Sequence, residues 1–408
     1  MNTQLVILGN GFDRHCGLKS DYESFFKSEI LDCEAENSNI LKMQDNCTGF
    51  WETLLFKYYK QNPHHNKNWC NVEALIQDTL ELLYFGKSKW LGETVYSIRD
   101  IALQRAKSKQ FFQESNDFAS LLIDYSSKFF SKCLQENSSC NEKELFAQLS
   151  EDLVTELHNF EKKFCKYIKY QIETNHFEYE IKAVNLLCKI IGIEQVFSHI
   201  NQILKTLVGY NNFEFNTDYD GKRILTKNFP NLRPVHILSF NYTSLFDILG
   251  VSSPCKYTNV HGKLCSENCS ENCKLSNIIF GIDDMSIKAH SNENDLRLFS
   301  KTYRKMVTTS SPTKILPPNN NITEIKFYGH SLSEADYSYF QSIFDYYNIY
   351  NNYNVSLFFY YSKGYEQPDA IYRMINEYGK TIPNQAQGKN LIHKLLLENR
   401  LRIQEVKE

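Results

Sequence analysis

The stretch LVILGNGFDRHCG, residues 5–17, decides the fold. Its four consecutive apolar residues, Leu5–Leu8, are typical of a short strand buried on both faces inside a parallel sheet. The segment GNGF then turns the chain toward a helix, and its glycines let the backbone come close to a ligand. Arg14 stands where a dinucleotide fingerprint has its third glycine. The stretch therefore predicts a strand, a turn and a helix start that could hold a nucleotide, but not an ordinary redox dinucleotide site.

Each polar feature of this region has two interpretations. The turn either holds a phosphate or is a plain strand-to-helix connection; its candidate ligand-binding residues are Gly9, Asn10, Gly11 and Phe12. Asp13 would be repelled by a phosphate, so it suits ribose hydroxyls or a developing positive charge, although it could equally cap the helix. Farther on, the segment SDYE has the spacing of a capping box, which predicts a second helix capped by the Ser20 hydroxyl.

A change of pattern near Pro234 predicts the rest of the sheet. Apolar spacings of three and four dominate residues 40–230 and predict helices, whereas strands alternate with helices after Pro234. The strands fall in PVHILSF, KYTNVHG, NIIFGIDD, ITEIKFYG and NVSLFFYY, with helices to the end. This order predicts an α/β fold, a Rossmann-like parallel sheet with a large all-helical insertion. The predicted boundaries are 1–39 and 231–365 for the sheet domain, 40–230 for the insertion and 366–408 for C-terminal helices.

Polar residues follow several of these strands, where α/β sheets bind ligands. Asn241 follows one strand, and His261 follows the next, with Gly262 leaving room for a ligand beside an acid–base imidazole. A strand-end Asn is also a turn former, and a lone His is often structural. A third strand runs into YGHSLSEAD, where Ser333 would cap the next helix. This segment adds four candidate ligand-binding residues, Gly329, His330, Ser331 and Asp336.

Charge and cysteine content narrow the class of protein. The net charge of -3 and the lack of a basic arm predict no nucleic-acid binding. No window is apolar enough to span a bilayer, and the N-terminus lacks a signal-peptide pattern, so we expect a cytoplasmic protein with reduced thiols. Three of the 12 cysteines, Cys265, Cys269 and Cys273, fall every fourth residue and could hold zinc with His261. Their spacing is not that of a zinc ribbon, so no metal is expected and the question stays open.

Together these motifs resemble the AbiH family of bacterial abortive-infection proteins, which act in phage defence. The resemblance rests on LVILGNGFD, ILSFNYT, VHGKL, IIFGIDD and GHSLSEADYSYF, which lie toward both ends of the chain. Of the helical region, only Trp69 and Glu73 match. The resemblance implies a role in abortive infection, with a phage-derived trigger.

AbiH-type sequences are in turn similar to the sirtuin-like domains of defence NADases. Asn241 matches the sirtuin Asn, His261 with Gly262 matches the catalytic His-Gly, and Gly329, Ser331 and Leu332 match a late Gly-x-Ser-Leu. This chain departs from the sirtuin pattern in that Asp13 replaces a small hydroxyl residue, Lys19 replaces Pro and Thr243 replaces Asp. The CxxC zinc module of deacetylases is not evident, so peptide deacetylation is not expected. The similarity implies NAD as a substrate.

These observations lead to one hypothesis and three alternatives. The hypothesis is hydrolysis of NAD⁺ to nicotinamide and ADP-ribose, with Asn241, His261 and Asp13 as catalytic residues and the helical insertion used for gating or homo-oligomerisation. The alternatives are a non-catalytic sensor of a nucleotide or ADP-ribose, a helical interaction protein, and a nuclease, for which Asp283 and Asp284 alone supply too few carboxylates.

Overall fold

The computed structural model describes most of the chain. The described residues are 3–28, 49–61, 72–85, 98–108, 118–137, 139–192, 216–217, 223–224, 234–249, 255–264, 278–283, 294–308 and 315–406. The chain divides into two compact units. The first comprises Met1–Ser20, Ile168–Ile278 and Ser310–Glu408, and the second comprises Asp21–Tyr167 and Ile279–Thr309.

The chain contains both strands and helices, as an α/β fold requires. The strands are β1 (Thr3–Leu8), β2 (Asn216–Thr217), β3 (Arg223–Ile224), β4 (Val235–Ser239), β5 (Lys256–Asn259), β6 (Ile322–Tyr328), β7 (Ser356–Tyr361) and β8 (Leu401–Glu405). The helices are α1 (Gly11–His15), α2 (Tyr22–Phe26), α3 (Phe50–Gln61), α4 (Val72–Phe85), α5 (Ile98–Ser108), α6 (Phe118–Glu136), α7 (Glu142–Ile191), α8 (Leu245–Ile248), α9 (Lys301–Thr308), α10 (Tyr337–Tyr346), α11 (Pro368–Thr381) and α12 (Gln385–Leu397). In the described residues, no helix is both long enough and apolar enough to cross a membrane.

A six-stranded sheet in which every neighbouring pair is parallel forms the centre of the first unit. Its strand order is β5-β4-β1-β6-β7-β8, while β2 and β3 form a separate antiparallel pair. β1 lies in the middle, with Val6 opposite Ile237 of β4 and Lys326 of β6. The buried run Leu5–Leu8 is therefore the central strand, as the sequence predicts.

Helices cover both faces of this sheet. Successive side chains of a strand point to opposite faces, so Leu5 and Ile7 pack with α10, α11 and α12. Val6 and Leu8 pack on the other face with α1 and with the last part of α7. We call these the α10 face and the α7 face. Apolar burial on both faces explains why β1 reads as a continuous hydrophobic run.

Two buried polar side chains hold the end of α7 against the sheet. The Lys326 Nζ of β6 donates to the Ile190 carbonyl at 2.9 Å, and the Gln4 Nε2 of β1 donates to the Ile191 carbonyl at 3.2 Å. Carbonyls at a helix C-terminus lack partners within the helix, so these bonds satisfy them. They fix the position of the α7 residues that face the sheet, among them Tyr179.

The second unit is helical and contains α2 to α6, α9 and the part of α7 up to Tyr167. Phe280 packs its ring on those of Phe160 and Phe164 at 5.7 and 5.4 Å. The buried Arg304 guanidinium donates to both carboxylate oxygens of Glu161, at 2.7 and 2.8 Å. A bidentate pair of this kind is geometrically specific and ties α9 to α7 within the unit.

Two predictions about strands are wrong. NIIFGIDD forms no strand over the described residues 278–283, which make only an isolated bridge between Ile282 and Ser300. Conversely, β8 follows α12 in the segment predicted to contain only helices. Its sequence LRIQE is rich in charged and polar residues because it is an edge strand, so it lacks the apolar run that identifies β1.

The predicted capping box also differs from the structure. Asp21, not Ser20, is the N-cap of α2, and its carboxylate accepts from the Ser24 N–H at 2.9 Å. The Ser20 hydroxyl instead donates to the Asn10 side-chain oxygen. Glu23 is bound by Lys27 one turn later, at 2.6 Å. Ser20 therefore braces the turn after β1 rather than starting a helix.

Candidate functional site

The predicted site residues follow β1, β4, β5 and β6, four adjacent strands of the sheet. The strand order reverses between β1 and β6, because the chain leaves β1 toward the α7 face and leaves β6 toward the α10 face. In open α/β sheets, ligands bind outside the carboxyl ends of the strands at such a reversal. The candidate site is therefore the carboxyl edge of the sheet around β1.

Glycines bring the turns after β1 and β6 into direct backbone contact. A Cβ atom on Gly9 would lie 2.3 Å from the His330 Cα, and one on Gly11 would lie 2.7 Å from the Gly329 Cα. Gly329 has a φ of +68°, and a Cβ there would lie 2.4 Å from the Phe12 nitrogen. The glycines at these positions are thus required for the two turns to pack together.

The same contact uses N–H groups that a phosphate would need. The Gly9 N–H donates to the Tyr328 carbonyl at 3.0 Å, and the Gly11 N–H donates to the Gly329 carbonyl at 2.7 Å. The Phe12 N–H donates to the Gly9 carbonyl at 2.9 Å. A nucleotide at this turn would have to be bound through other groups, and the ligand-binding role of residues 9–12 stays a prediction.

Asp13 lies at the centre of a first cluster, on the α7 face. Its carboxylate is buried and accepts from the Tyr179 hydroxyl at 2.7 Å and from the Thr243 hydroxyl. Burial raises the pKa of Asp13 to about 6, while hydrogen bonds from Thr243, Tyr179 and Asn241 oppose that rise. The alternative helix-cap role is not observed, since Asn10 is the N-cap residue of α1.

Asn241 belongs to the same cluster and carries an unsatisfied polar atom. The residue is 3% exposed, and its Oδ1 is buried with no hydrogen-bond partner in the described part of the chain. Leaving a buried acceptor without a donor costs about 1–3 kcal/mol. Such groups are rare in native proteins and call for an explanation.

Asn259, at the end of β5, holds the turn that carries Asn241. Its side-chain Nδ2 donates to the main-chain carbonyls of Asn241 and Thr243, at 2.8 and 2.7 Å. Asn259 was not among the site residues predicted from the sequence. A signal was present, because Asn259 is a polar residue at the end of a predicted strand, two positions before His261.

His261 belongs to a second cluster, on the α10 face, together with Asp336 and His330. The His261 Nε2 lies 2.9 Å from the Asp336 Oδ1, and the His330 Nε2 lies 3.5 Å from the Asp336 Oδ2. All three side chains are buried. The Phe240 ring packs on both imidazoles, with centroids 5.1 and 4.6 Å away. One carboxylate thus bridges two histidines from different strand ends.

In the turn after β6, the residues at helix N-cap positions make no side-chain capping bonds. Ser333 and Asp336 occupy N-cap positions, yet neither side chain makes a capping hydrogen bond, so the predicted Ser333 cap is wrong. Leu332 adopts a φ of +53°, which is unfavourable for a residue with a Cβ. Its N–H donates to the His330 Nδ1 at 2.9 Å. Local rules of this kind are most often broken at functional sites.

The remaining predicted residues lie around these clusters or outside the described residues. Gly262 has a φ of +86° directly after His261, and Ser331 is exposed. Glu73 is part of the helical unit, where the buried Lys301 Nζ contacts its carboxylate at 2.7 Å. Several other residues that the sequence analysis named lie outside the described residues: Trp69, Cys265, Cys269, Cys273 and Asp284.

Phe240 and Asn241 are consecutive residues, so the two clusters meet at the carboxyl end of β4. The Phe240 ring belongs to the His261 cluster, and the Asn241 amide belongs to the Asp13 cluster. A single substrate contacts both clusters only by spanning the end of β4.

A cleft of 590 Å³ lies at the opposite edge of the sheet, away from both clusters. It is lined by Asn321, Asn354 and Arg402 among others.

A comparison with models of protein families identifies the family of the chain. The family model described as bacteriophage abortive infection AbiH matches residues 5–361. This chain belongs to the AbiH family. Both clusters lie within the matched part of this AbiH protein, and its role is therefore in bacteriophage abortive infection, as the resemblance implied. No curated protein and no solved structure matches the chain.

Proposed function

We propose that this AbiH protein hydrolyses the nicotinamide–ribose bond of NAD⁺ at the carboxyl edge of its sheet. The observation that carries the proposal is the unsatisfied Oδ1 of Asn241, buried beside Asp13 at the end of β4. An amide oxygen in that position is suited to accept from a ribose hydroxyl or from an attacking water.

The sheet topology supports a nucleotide as the ligand. The order β5-β4-β1-β6-β7-β8 follows the strand order 3-2-1-4-5-6 of dinucleotide-binding, doubly wound sheets when the six strands are numbered along the chain. The proposed edge is the one at which such sheets bind their ligands. We therefore include in the proposal that the sheet is Rossmann-like and similar to that of sirtuins.

A compensating exchange also supports the sirtuin-like assignment. Relative to the sirtuin pattern, this chain has a carboxylate in place of a hydroxyl at Asp13 and a hydroxyl in place of a carboxylate at Thr243. The two side chains are hydrogen-bonded to each other. The exchange thus keeps one carboxylate and one hydroxyl in contact beside Asn241, which makes these departures a matched pair.

In the proposed reaction, a water oxygen attacks the anomeric carbon of the nicotinamide ribose. The carbon–nitrogen bond breaks, its electron pair stays on the nicotinamide nitrogen, and nicotinamide leaves as a neutral molecule. His261 takes the proton of the attacking water or of a ribose hydroxyl. Asn241 orients the ribose or the water, and the Asp13 carboxylate stabilises the positive charge that develops on the sugar. The products are nicotinamide, ADP-ribose and a proton.

Chromatography of free nicotinamide tests the proposal. We expect purified protein, incubated with NAD⁺ and an extract of phage-infected cells, to release nicotinamide. His261→Ala should lower the rate at least about a hundredfold, the lower range for a general base. His393→Ala is the matched control, because His393 is exposed on α12. Equal rates in the two variants would refute the assignment of His261.

A nucleotide-binding sensor is the second candidate. The placement of Asn241 and His261 in separate clusters favours it, because binding needs contacts with a ligand but no shared reacting atom. Isothermal titration with NAD⁺ and ADP-ribose separates the two functions. Tight binding that is weakened by Asn241→Ala, with no nicotinamide released, would favour the sensor.

A further inference from the structure

On the α10 face, the buried Asp336 carboxylate lies between two imidazoles. From this arrangement we infer that Asp336 is a positioning residue, which with His330 holds His261 as the tautomer protonated on Nε2 and makes Nδ1 the proton-accepting atom. The catalytic part of this inference rests on the proposed function, whereas the tautomer does not.

The proton on His330 can be assigned from its neighbours. The Leu332 N–H donates to the His330 Nδ1 at 2.9 Å, so that nitrogen must present a lone pair. A neutral imidazole then carries its proton on Nε2, which faces the Asp336 Oδ2 at 3.5 Å. A second proton on Nδ1 would oppose the Leu332 N–H. The bond therefore favours the His330 tautomer whose Nε2–H points toward Asp336.

The same reasoning applies to His261. Its Nε2 lies 2.9 Å from the Asp336 Oδ1, a distance typical of a hydrogen bond between an N–H and a carboxylate. An ionised carboxylate only accepts, so the neutral His261 must carry its proton on Nε2. Nδ1 is then the basic nitrogen. A carboxylate that fixes the tautomer of a catalytic imidazole is a recurring device of hydrolytic sites.

Aromatic packing holds the two imidazoles in place beside Asp336. Phe240 lies against both imidazoles, and Tyr339 packs on His261 with ring centroids 5.3 Å apart. Asp336 occupies the N-cap position of α10 but makes no side-chain cap, so its carboxylate serves the histidines instead of the helix. This arrangement gives up the stabilisation that an N-cap bond would supply.

Nitrogen NMR of protein labelled with ¹⁵N-histidine tests the tautomer at about pH 8, where an ordinary imidazole is neutral. His261→Gln assigns the resonances. We expect His261 to be protonated on Nε2 in the unaltered protein. Protonation on Nδ1 would overturn the inference without reference to NAD⁺, since the measurement is made on the unaltered protein and the variant serves only for assignment.

Asp336→Asn supplies the catalytic test. The amide of this variant can turn an N–H toward His261 and favour the other tautomer. The same Asp-to-Asn exchange in the catalytic triad of serine proteases lowers kcat about 10⁴-fold. We expect the ¹⁵N shifts of His261 to change and the rate of nicotinamide release to fall at least about a hundredfold. Glu334→Gln, an exposed carboxylate in the same turn, is the matched control and should change neither.

The outcomes separate this inference from the proposed function. An altered tautomer in Asp336→Asn supports the positioning role even if no variant of the protein releases nicotinamide. An unchanged tautomer together with unchanged nicotinamide release would overturn the positioning role while leaving NAD⁺ hydrolysis standing.

Discussion

At the scale of single residues, the proposed chemistry depends on candidate side chains whose partners are distant in sequence. Asp13, Asn241 and His261 could be named from the sequence because each follows an apolar strand or a glycine turn. Tyr179, which donates to Asp13 at 2.7 Å, could not. It sits in a long helix where an apolar face looks like ordinary core, and only the docking of α7 on the sheet gives it a polar role.

Asp13 yields a prediction about pH. Its pKa rises from 3.8 to about 6 on folding, so the native state binds the proton more tightly than the unfolded state. The stability that Asp13 contributes is therefore fully present below about pH 4 and is lost as the pH rises through about 6. The loss between about pH 4 and pH 7 amounts to about 2 kcal/mol.

Urea unfolding of the parent and of Asp13→Asn across this range isolates the effect. The variant lacks the titrating group. The unfolding free energy of the parent minus that of the variant should therefore fall as the pH rises. A difference that stays constant from pH 4 to pH 7 would show that burial does not raise this pKa.

At the scale of elements, the sequence identified the central strand but not the way the turns pack. Leu5–Leu8 gave a clear signal because apolar residues cover both faces of β1. NIIFGIDD gave a similar signal for another reason: Ile278, Ile279 and Phe280 are buried in irregular chain. Periodicity alone does not separate these cases. The contact between Gly9 and Gly329 was beyond prediction, since it joins turns far apart in the sequence.

That contact predicts unequal costs for two glycine substitutions. Gly329 and Gly364 both have a positive φ, +68° and +81°, so Ala carries a similar backbone cost of about 1–2 kcal/mol at each. A Cβ at Gly364 meets nothing within 4 Å, whereas one at Gly329 meets the Phe12 nitrogen at 2.4 Å. Gly329→Ala should therefore cost at least about 2 kcal/mol more than Gly364→Ala. Chemical denaturation measures both, and equal losses would contradict the packing described here.

At the scale of the whole molecule, the chain joins a parallel sheet unit to a helical unit, and the helical unit contains its own polar anchor. Glu161 and Arg304 are buried, and the Phe280 N–H also donates to the Glu161 Oε1 at 2.6 Å. Burial raises the pKa of Glu161 despite the adjacent guanidinium. The helices of this unit could be predicted from the sequence, but the pairing could not, because charged residues at helical spacing usually face solvent.

Removing one partner of this pair should be costly. Glu161→Gln leaves the Arg304 charge buried beside a neutral amide, so we expect a loss of about 3–5 kcal/mol in unfolding free energy. Glu142→Gln is the control: its pair with Lys107 is 2.9 Å long, but the side chains are 62% and 54% exposed, and its loss should stay below about 1 kcal/mol. If a denaturation experiment gave similar losses of unfolding free energy for the two variants, the buried pair would not stabilise the unit as described.

NAD⁺ hydrolysis is tested by the amount of nicotinamide and NAD⁺ in phage-infected cells that express the protein or its His261→Ala variant at equal levels. We expect the parent protein to deplete NAD⁺ and release nicotinamide on infection, and the variant to do so at least about a hundredfold more slowly. The contradicting result is protection from phage by the parent protein while NAD⁺ stays as high as in cells with the variant.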